Sequence, residues 1–223
     1  MRIEVAKGGF VALVDRMESP VDLKVVNSAR ISMGKKIDKM RSKDEKLISY
    51  LAKNEHTSPF RHSYMTFHVC APIFVLRQWM KHQIGCAWNE ISGRYVAFED
   101  EYWRPMSWRE QSESVKQGSG GDIGGELGDL VDQMWEHTHD VAFNTYRAML
   151  EIGVCKEQAR ACLPLSIYSQ CYWTVSVQAL AHFLKLRLDS HAQVEIQDYA
   201  QAVKRLFLDN LEGGEVVMEA LNG

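Results

Sequence analysis

Residues 77–95, R-Q-W-M-K-H-Q-I-G-C-A-W-N-E-I-S-G-R-Y, set cations, amides, a carboxylate and two hydroxyls directly behind the apolar run 71–76. A buried helix that ends in such groups needs a polar partner: a ligand phosphate, or its own salt-bridge network. Arg77, Arg94, Arg160 and Arg187 sharpen the question, because each lies beside apolar or turn residues rather than in a charge run. Arginine is rarely buried unless paired, and its fork suits phosphate and carbonyl oxygens. Salt bridges to Glu90, Asp189 and Glu195 are the plainer account. Several arginines around one site would suit an anionic, phosphorylated substrate.

Other chemistries are poorly served. His137 and His139 stand two apart on a predicted helix, where neighbours at that spacing face different sides, so a shared metal is not expected. The zinc-deaminase pattern is absent. Cys86 has no elbow or recognisable triad around it and reads as a packing thiol. The run Gly118-Ser119-Gly120-Gly121-Asp122-Ile123-Gly124-Gly125 lacks the Gly-Lys-Ser/Thr of a phosphate loop. Residues 111–125 read instead as a flexible, Gly-rich surface loop.

The elements that must hold the polar groups follow from periodicity and from start and stop signals. Pro72 suits a helix start and Gly85 a stop, predicting a helix over 72–84. On it Gln78 and His82 share a face, with Arg77 and Lys81 on the adjacent stripe. Upstream, residues 3–6 and 10–14 read as strands around Gly8-Gly9, and Val21–Arg30 as a helix. Ser42-Lys43-Asp44-Glu45 is a capping-box pattern. Residues 62–70 alternate as a strand, with Met65, Phe67 and Val69 inward, and residues 95–98 read as another. Leu127, Leu130, Met134 and Val141 keep the spacing of a long amphipathic helix. Residues 157–163 form a short helix carrying Arg160; 169–186 and 194–211 read as longer helices. Segregated strands and long helices predict one α+β domain over residues 1–223.

Composition sets the outer bounds. The 223 residues are 46 % apolar and 25 % charged with a net charge of −3, which suits a globular chain with one sizeable core. This balance argues against a nucleic-acid coat but leaves room for a local nucleotide pocket. The five cysteines form no C-x-x-C pair and suggest reduced thiols in a cytoplasmic setting, the host's for a viral chain. No signal segment or membrane-length apolar run is evident, so neither export nor membrane insertion is expected.

Taken together, the blocks resemble the flavin-dependent thymidylate synthases along nearly the whole chain. That family's central pattern is R-Q-W-x-R-H-R-x-x-S-x-N-E-x-S-x-R-Y. Arg77-Gln78-Trp79 and Asn89-Glu90-Ile91-Ser92-Gly93-Arg94-Tyr95 fit its two ends. His56-Thr57-Ser58-Pro59-Phe60 with His62, Thr66-Phe67-His68-Val69, Ala71-Pro72-Ile73-Phe74-Val75, and Leu186-Arg187-Leu188-Asp189-Ser190-His191-Ala192-Gln193 with Glu195 agree as well. Arg160 and Leu163-Pro164 complete the match.

The resemblance implies a central, mainly antiparallel sheet flanked by long helices, and a homotetramer whose active sites draw on more than one subunit. It implies FAD as cofactor, methylenetetrahydrofolate as carbon donor, NADPH as reductant, and conversion of dUMP to dTMP. By that likeness Gln78, Lys81, Glu90, Ser92, Gly93, Arg94, Arg160 and Arg187 line the dUMP site. Arg94 and Ser92 would meet the phosphate and Arg160 the uracil edge, where a fixed cation stabilises developing negative charge. Ser32, Thr57, Lys81, His82, Gln83, Glu90, Ser176, Gln178 and His182 would contact FAD. His56 and Arg187 would face the folate side and, with Arg160, act in catalysis; no metal is implied.

Departures from the family cluster near the cofactor. Lys81-His82-Gln83 stands where Arg-His-Arg is usual, one extra residue separates it from Ser92, and Ser176 and Gln178 replace Asn and Arg. Weaker or rearranged FAD binding with retained dUMP binding is expected. The same scaffold could also let water intercept the carbon adduct and release hydroxymethyl-dUMP, or could bind dUMP without turnover. The unrelated cysteine-nucleophile type of thymidylate synthase is disfavoured, since no Pro-Cys-His context exists.

Overall fold

The computed structural model describes residues 1–113 and 118–223. Strands β1 (Arg2–Ala6) and β2 (Gly9–Arg16) form an antiparallel hairpin that turns at Gly8, where φ is +88°. Helices α1 (Val21–Arg30) and α2 (Ser42–Lys53) follow. The cap of α2 falls one residue before the expected capping box: the Asp44 carboxylate accepts the Arg41 backbone N–H at 3.0 Å. Buried Asp44 also pairs with Arg30 and Arg41, which offset its loss of solvation.

Strand β3 (Tyr64–Pro72) leads into α3 (Ile73–Trp79). The helix is shorter than the expected 72–84. Pro72 ends the strand and sits just outside the helix, and the helix stops at Trp79, whose ring is fully buried. Beyond Gly85, where no element is predicted, residues 86–90 form the short strand β4 (Cys86–Glu90). Residues 95–98, expected as strand, form a turn and irregular chain. In place of the expected loop over 111–125, β5 (Trp108–Gln111) and β6 (Ser119–Ile123) pair as an antiparallel ribbon, and residues 114–117 lie outside the described residues.

Helix α4 (Gly125–Glu151) matches the long-helix expectation, with a different inward face. His139, Phe143 and Tyr146 are buried, whereas Leu127, Leu130, Met134 and Val141 are all more than half exposed. After the one-turn helix α5 (Lys156–Ala159) comes β7 (Tyr168–Ser176), then α6 (Val177–Arg187), α7 (Val194–Asn210) and α8 (Gly214–Asn222). The expected single helix over 169–186 is therefore a strand followed by a helix. Cys171, Trp173 and Val175 point inward at period two, and the aromatic and β-branched content suits a strand.

The main sheet has the order β1-β2-β3-β7-β4, antiparallel throughout. β3 and β7 pair in register along their whole length, from Tyr64↔Ser176 to Pro72↔Tyr168. Met65, Phe67, Val69 and Trp173 face the helical layer and join Val25, Ile48, Leu180, Val203 and Leu206 in one core. This core also fixes the end of α3. The Trp79 ring stacks on Phe183 at 4.9 Å and meets Trp173 edge-on at 5.1 Å, while Trp88 of β4 stacks on Trp173 at 5.5 Å. Aromatic pairs of this kind add about 0.5–1.5 kcal/mol each beyond area burial, so the polar groups past Trp79 start from a rigid base.

Candidate active site

The last carbonyls of any helix lack helical partners, and they favour a cation. At the end of α3 the cation is Arg187, itself the last residue of α6. Its Nη2 donates to the Gln78 carbonyl at 3.3 Å and its Nε to His82 Nε2 at 3.1 Å. None of Glu90, Asp189 and Glu195, the carboxylates of the plainer account, takes these arginines: their partners are Ser169, His191 and Arg109.

The Arg187 contact settles the tautomer of His82. Arginine has no acceptor, so Nε2 must accept and Nδ1 carries the hydrogen. Burial, then the neighbouring Arg187 and His182, lower the His82 pKa to about 4. His82 is therefore neutral near pH 7 and has an N–H to donate. Burial also lowers the Arg187 pKa, without threatening its charge. The His182 ring lies 5.8 Å from that of His82 and is exposed.

The turn carrying Lys81, His82 and Gln83 is held from both sides. Trp88 Nε1 donates to the His82 carbonyl at 3.4 Å, and the Ser176 N–H donates to the Gly85 carbonyl at 2.9 Å. Gly85 has φ +73°, and a Cβ there would fall 2.7 Å from Ser176 Oγ, so the position demands glycine twice over. Lys81 is exposed. Gln83 folds back so that its amide donates to the Met80 carbonyl. Ser176 is buried and its Oγ accepts the Ala179 N–H as the cap of α6. Gln178, one residue into that helix, is half-buried.

A second group gathers after β4. Glu90 ends the strand, and its carboxylate accepts the Ser169 hydroxyl at 2.6 Å. The loop then turns at Ser92, whose Oγ accepts the Arg94 N–H at 3.3 Å. Gly93 is buried as a wedge: a Cβ there would fall 2.3 Å from Phe98 and 3.1 Å from Arg160 Cδ. That close approach places the Arg160 side chain against the Ser92-Gly93-Arg94 loop, although the two segments are far apart in sequence. Arg94 pairs with Glu157 at 3.2 Å, both about half exposed. Such a pair is worth roughly 0–1 kcal/mol, so an incoming anion can displace it.

The remaining expected site residues keep to their own segments. Ser32 donates to the Ala29 carbonyl at 3.0 Å, Thr57 accepts from Arg61 at 3.2 Å, and the exposed His56 ring meets Tyr50 edge-on at 6.0 Å. Burial raises the Cys86 thiol pKa, which argues against a nucleophilic thiolate. All five cysteines are free. Among the described residues no cluster of three or more metal-ligating side chains occurs, and no helix is long and apolar enough to cross a membrane.

Gln193 and Glu195, read from the sequence only as part of a matching block and, for Glu195, as a salt-bridge partner, adjoin the site together with Arg109, which the sequence did not point to. The Gln78 amide donates to Gln193 at 2.5 Å, Gln193 donates to Glu195 at 2.7 Å, and Arg109 donates to the other Glu195 oxygen at 2.6 Å. The available signal was the block holding Gln193 and Glu195; nothing in the sequence ties it to position 109.

The likeness to known proteins covers both groups. Residues 12–211 match the family described as thymidylate synthase complementing protein. The flavin-dependent thymidylate synthase of Kosmotoga olearia is 41% identical over 207 residues, which are 93% of this chain and 88% of that protein. That of Thermus thermophilus is 42% identical over 206 residues, 92% of this chain and 74% of that protein. Among solved structures, a UMP/dUMP methylase, PolB from Streptomyces cacaoi bound with 5-Br dUMP, superposes with a TM-score of 0.82 at 32% identity, covering 98% of this chain and 96% of that one. Fold and site together define an α+β enzyme of the methylating class. Within it, the chain belongs to the flavin-dependent thymidylate synthase family.

Proposed function

We propose that the protein converts dUMP to dTMP, with FAD as the bound flavin, methylenetetrahydrofolate as carbon donor and NADPH as reductant, in the cytoplasm. The observation that carries this reading is the Gly93 wedge, which joins Arg160 to the Ser92-Gly93-Arg94 loop. Two guanidinium groups and a hydroxyl beside one backbone turn suit a nucleoside monophosphate: Arg94 and Ser92 at the phosphate, Arg160 at the base. Gln78, Lys81, Glu90 and Arg187 complete that side.

The donor set around the α3 turn fits a flavin. Lys81 supplies one positive charge, His82 a neutral Nδ1–H, and Gln178 and His182 further donors, which suits ring carbonyls and a pyrophosphate. Bound there, the flavin supplies the redox chemistry. The chain's own contribution is to hold His82 in one tautomer through Arg187 and to keep the Arg160 charge at the uracil edge, where it stabilises negative charge as C5 becomes nucleophilic. Glu90, at the end of β4, is held by the Ser169 hydroxyl. His56 and Arg187 face the folate side.

A homotetramer with shared sites is supported by two features of the single chain. Ser32, His56 and Thr57 spend their contacts locally. Leu127, Leu130, Met134 and Val141 share one exposed stripe of α4, which a second copy would cover.

The test is a visible flavin spectrum of the purified protein, followed by turnover of dUMP, with UMP in parallel. The expected result is bound or readily acquired FAD and a product of dTMP mass that requires NADPH. A product of hydroxymethyl-dUMP mass would assign the water-intercepted reaction. Binding of dUMP without tritium release from C5 would assign a silent binding protein.

A further inference from the structure

A directional chain of hydrogen bonds runs from the two-stranded ribbon to the edge of the proposed nucleotide site. It starts at Glu195, which is only 7% exposed at the first turn of α7. One carboxylate oxygen takes Arg109 Nη2 of β5 at 2.6 Å; the other takes Gln193 Nε2 at 2.7 Å. Gln193 Oε1 in turn accepts Gln78 Nε2 at 2.5 Å.

The carboxylate gives the chain its sense. An ionised carboxylate only accepts, so Gln193 must turn its NH2 toward Glu195. Its carbonyl oxygen must then face Gln78, and Gln78 must spend an N–H on it. With its NH2 turned toward Gln193, Gln78 aims its carbonyl oxygen to the other side, alongside the second N–H. Without the carboxylate each amide could flip and present the opposite group. Arg109 pairs with the buried Glu195 carboxylate at 2.6 Å and ties the ribbon to the same chain.

We propose that Gln193, Glu195 and Arg109 are positioning residues that hold the Gln78 amide with its carbonyl oxygen toward the nucleotide. This rests on the reading that Gln78 lines the dUMP site. Outside its phosphate, dUMP has two donors, the uracil N3–H and the 3′-hydroxyl, and an acceptor fixed at Gln78 selects for one of them. The relay touches no reacting atom, so it acts on nucleotide affinity more than on the chemical step.

The experiment is a double-mutant cycle on the flavin-loaded enzyme, with Glu195→Gln and Gln78→Ala, reading the dUMP dissociation constant by calorimetry together with kcat and the melting temperature. Glu195→Gln keeps shape and removes the acceptor-only group. It is expected to weaken dUMP by about tenfold, the loss of one well-placed hydrogen bond, with kcat at saturating dUMP within about twofold. In the Gln78→Ala background the same change is expected to cost nothing further, because the amide it orients is gone. Losses that add in the double variant would overturn the proposal, as would a lower melting temperature with unchanged dUMP affinity. If Gln78→Ala alone leaves dUMP binding intact, the assignment of Gln78 to the nucleotide fails and the relay with it. If Gln78→Ala weakens binding and Glu195→Gln does not, only the relay fails.

Discussion

The turn after α3 and the loop after β4 both present cations, and they hold them in opposite ways. In the turn, polar groups are spent on one another: Gln83 on the Met80 carbonyl, His82 Nε2 on Arg187, and Arg187 also on the Gln78 carbonyl. What is left to offer is narrow, a neutral imidazole N–H and the Lys81 ammonium. In the loop, packing sets the shape, through Gly93 against Phe98 and Arg160, while the Arg94 guanidinium pairs with an exposed carboxylate and lies 5.9 Å from the Tyr95 ring. A preformed turn resists change, and its chemistry is altered by substitution at the turn itself. A loop with weakly held cations trades its internal partner for an anion. Relative to the pattern R-Q-W-x-R-H-R-x-x-S-x-N-E-x-S-x-R-Y, Lys81-His82-Gln83 departs in the turn, whereas Asn89 to Tyr95 keep to it in the loop.

If the loop is the nucleotide side, its cations must matter most. Arg160→Gln is expected to lower kcat by about a hundredfold, in the range seen when a transition-state donor is removed. Arg160 is exposed, so melting should hardly move. Unchanged kcat with weaker dUMP binding would move Arg160 from the base to the phosphate. Gly93→Ala comes next. The added Cβ meets the Phe98 ring, an overpacking that costs roughly 1–3 kcal/mol, and relief must come from shifting Phe98 or Arg160. Weakening of dUMP by about tenfold is expected, read by calorimetry. Native affinity would mean that the wedge does not shape the site.

The turn is expected to respond to cofactor and pH instead. Gln83→Arg restores a fork and a charge at a position whose amide now bonds its own turn, and should tighten FAD by about fivefold in a fluorescence titration, a gain of about 1 kcal/mol. An equal gain for dUMP would erase the division between the two segments. His82 gives a pH signature. Its pKa falls from 6.5 to about 4 on folding, so between those values the unfolded chain binds the proton and the folded chain does not. Its contribution to stability is present above pH 6.5 and is lost as the pH falls toward 4. Melting temperatures of wild type and His82→Gln should therefore converge from pH 7 to pH 4.5, and parallel curves would contradict a neutral, buried-side imidazole.

How much of this could be read from residues alone depends on where each partner lies. The β1–β2 hairpin, α1 and α7 follow from local signals: a Gly8-Gly9 turn and helical spacing over ten residues in α1 and seventeen in α7. The apolar residues of 169–186 extend without a Gly or Pro break from β7 into α6, so the stretch resembles one buried helix; the period-two burial of β7 becomes plain only once β3 and β4 flank it. β4 was missed for the same reason, since its one strand partner is β7. Residues 95–98 have strand-like composition, but among the described residues they pair with no strand. In the site, the loop residues were legible as a motif. The closeness of Gly93 to Arg160, and of Arg109 to Glu195, rests on contacts between segments distant in sequence, which periodicity does not carry. The apolar spacing of α4 was real but faces outward, because spacing reports a shared stripe and not what covers it.

The smallest expected effect bears most directly on how the loop works. Glu157 and Arg94 are both about half exposed and sit 3.2 Å apart. Exposed pairs of this kind are worth about 0.2–1 kcal/mol, and a phosphate arriving at Arg94 must give that up. Glu157→Gln removes the competitor and a like charge near the ligand's own. It should tighten dUMP by about two- to threefold, at most fivefold, since 1.4 kcal/mol is tenfold. Screening weakens exposed pairs, so the gain should shrink as salt is raised, while the effect of Gly93→Ala, which is steric, should not. Titrating dUMP into both variants at low and high salt separates the two. Weaker binding in Glu157→Gln would mean that the carboxylate orients Arg94 for the phosphate rather than occupying it, and the loop would then be as prebuilt as the turn.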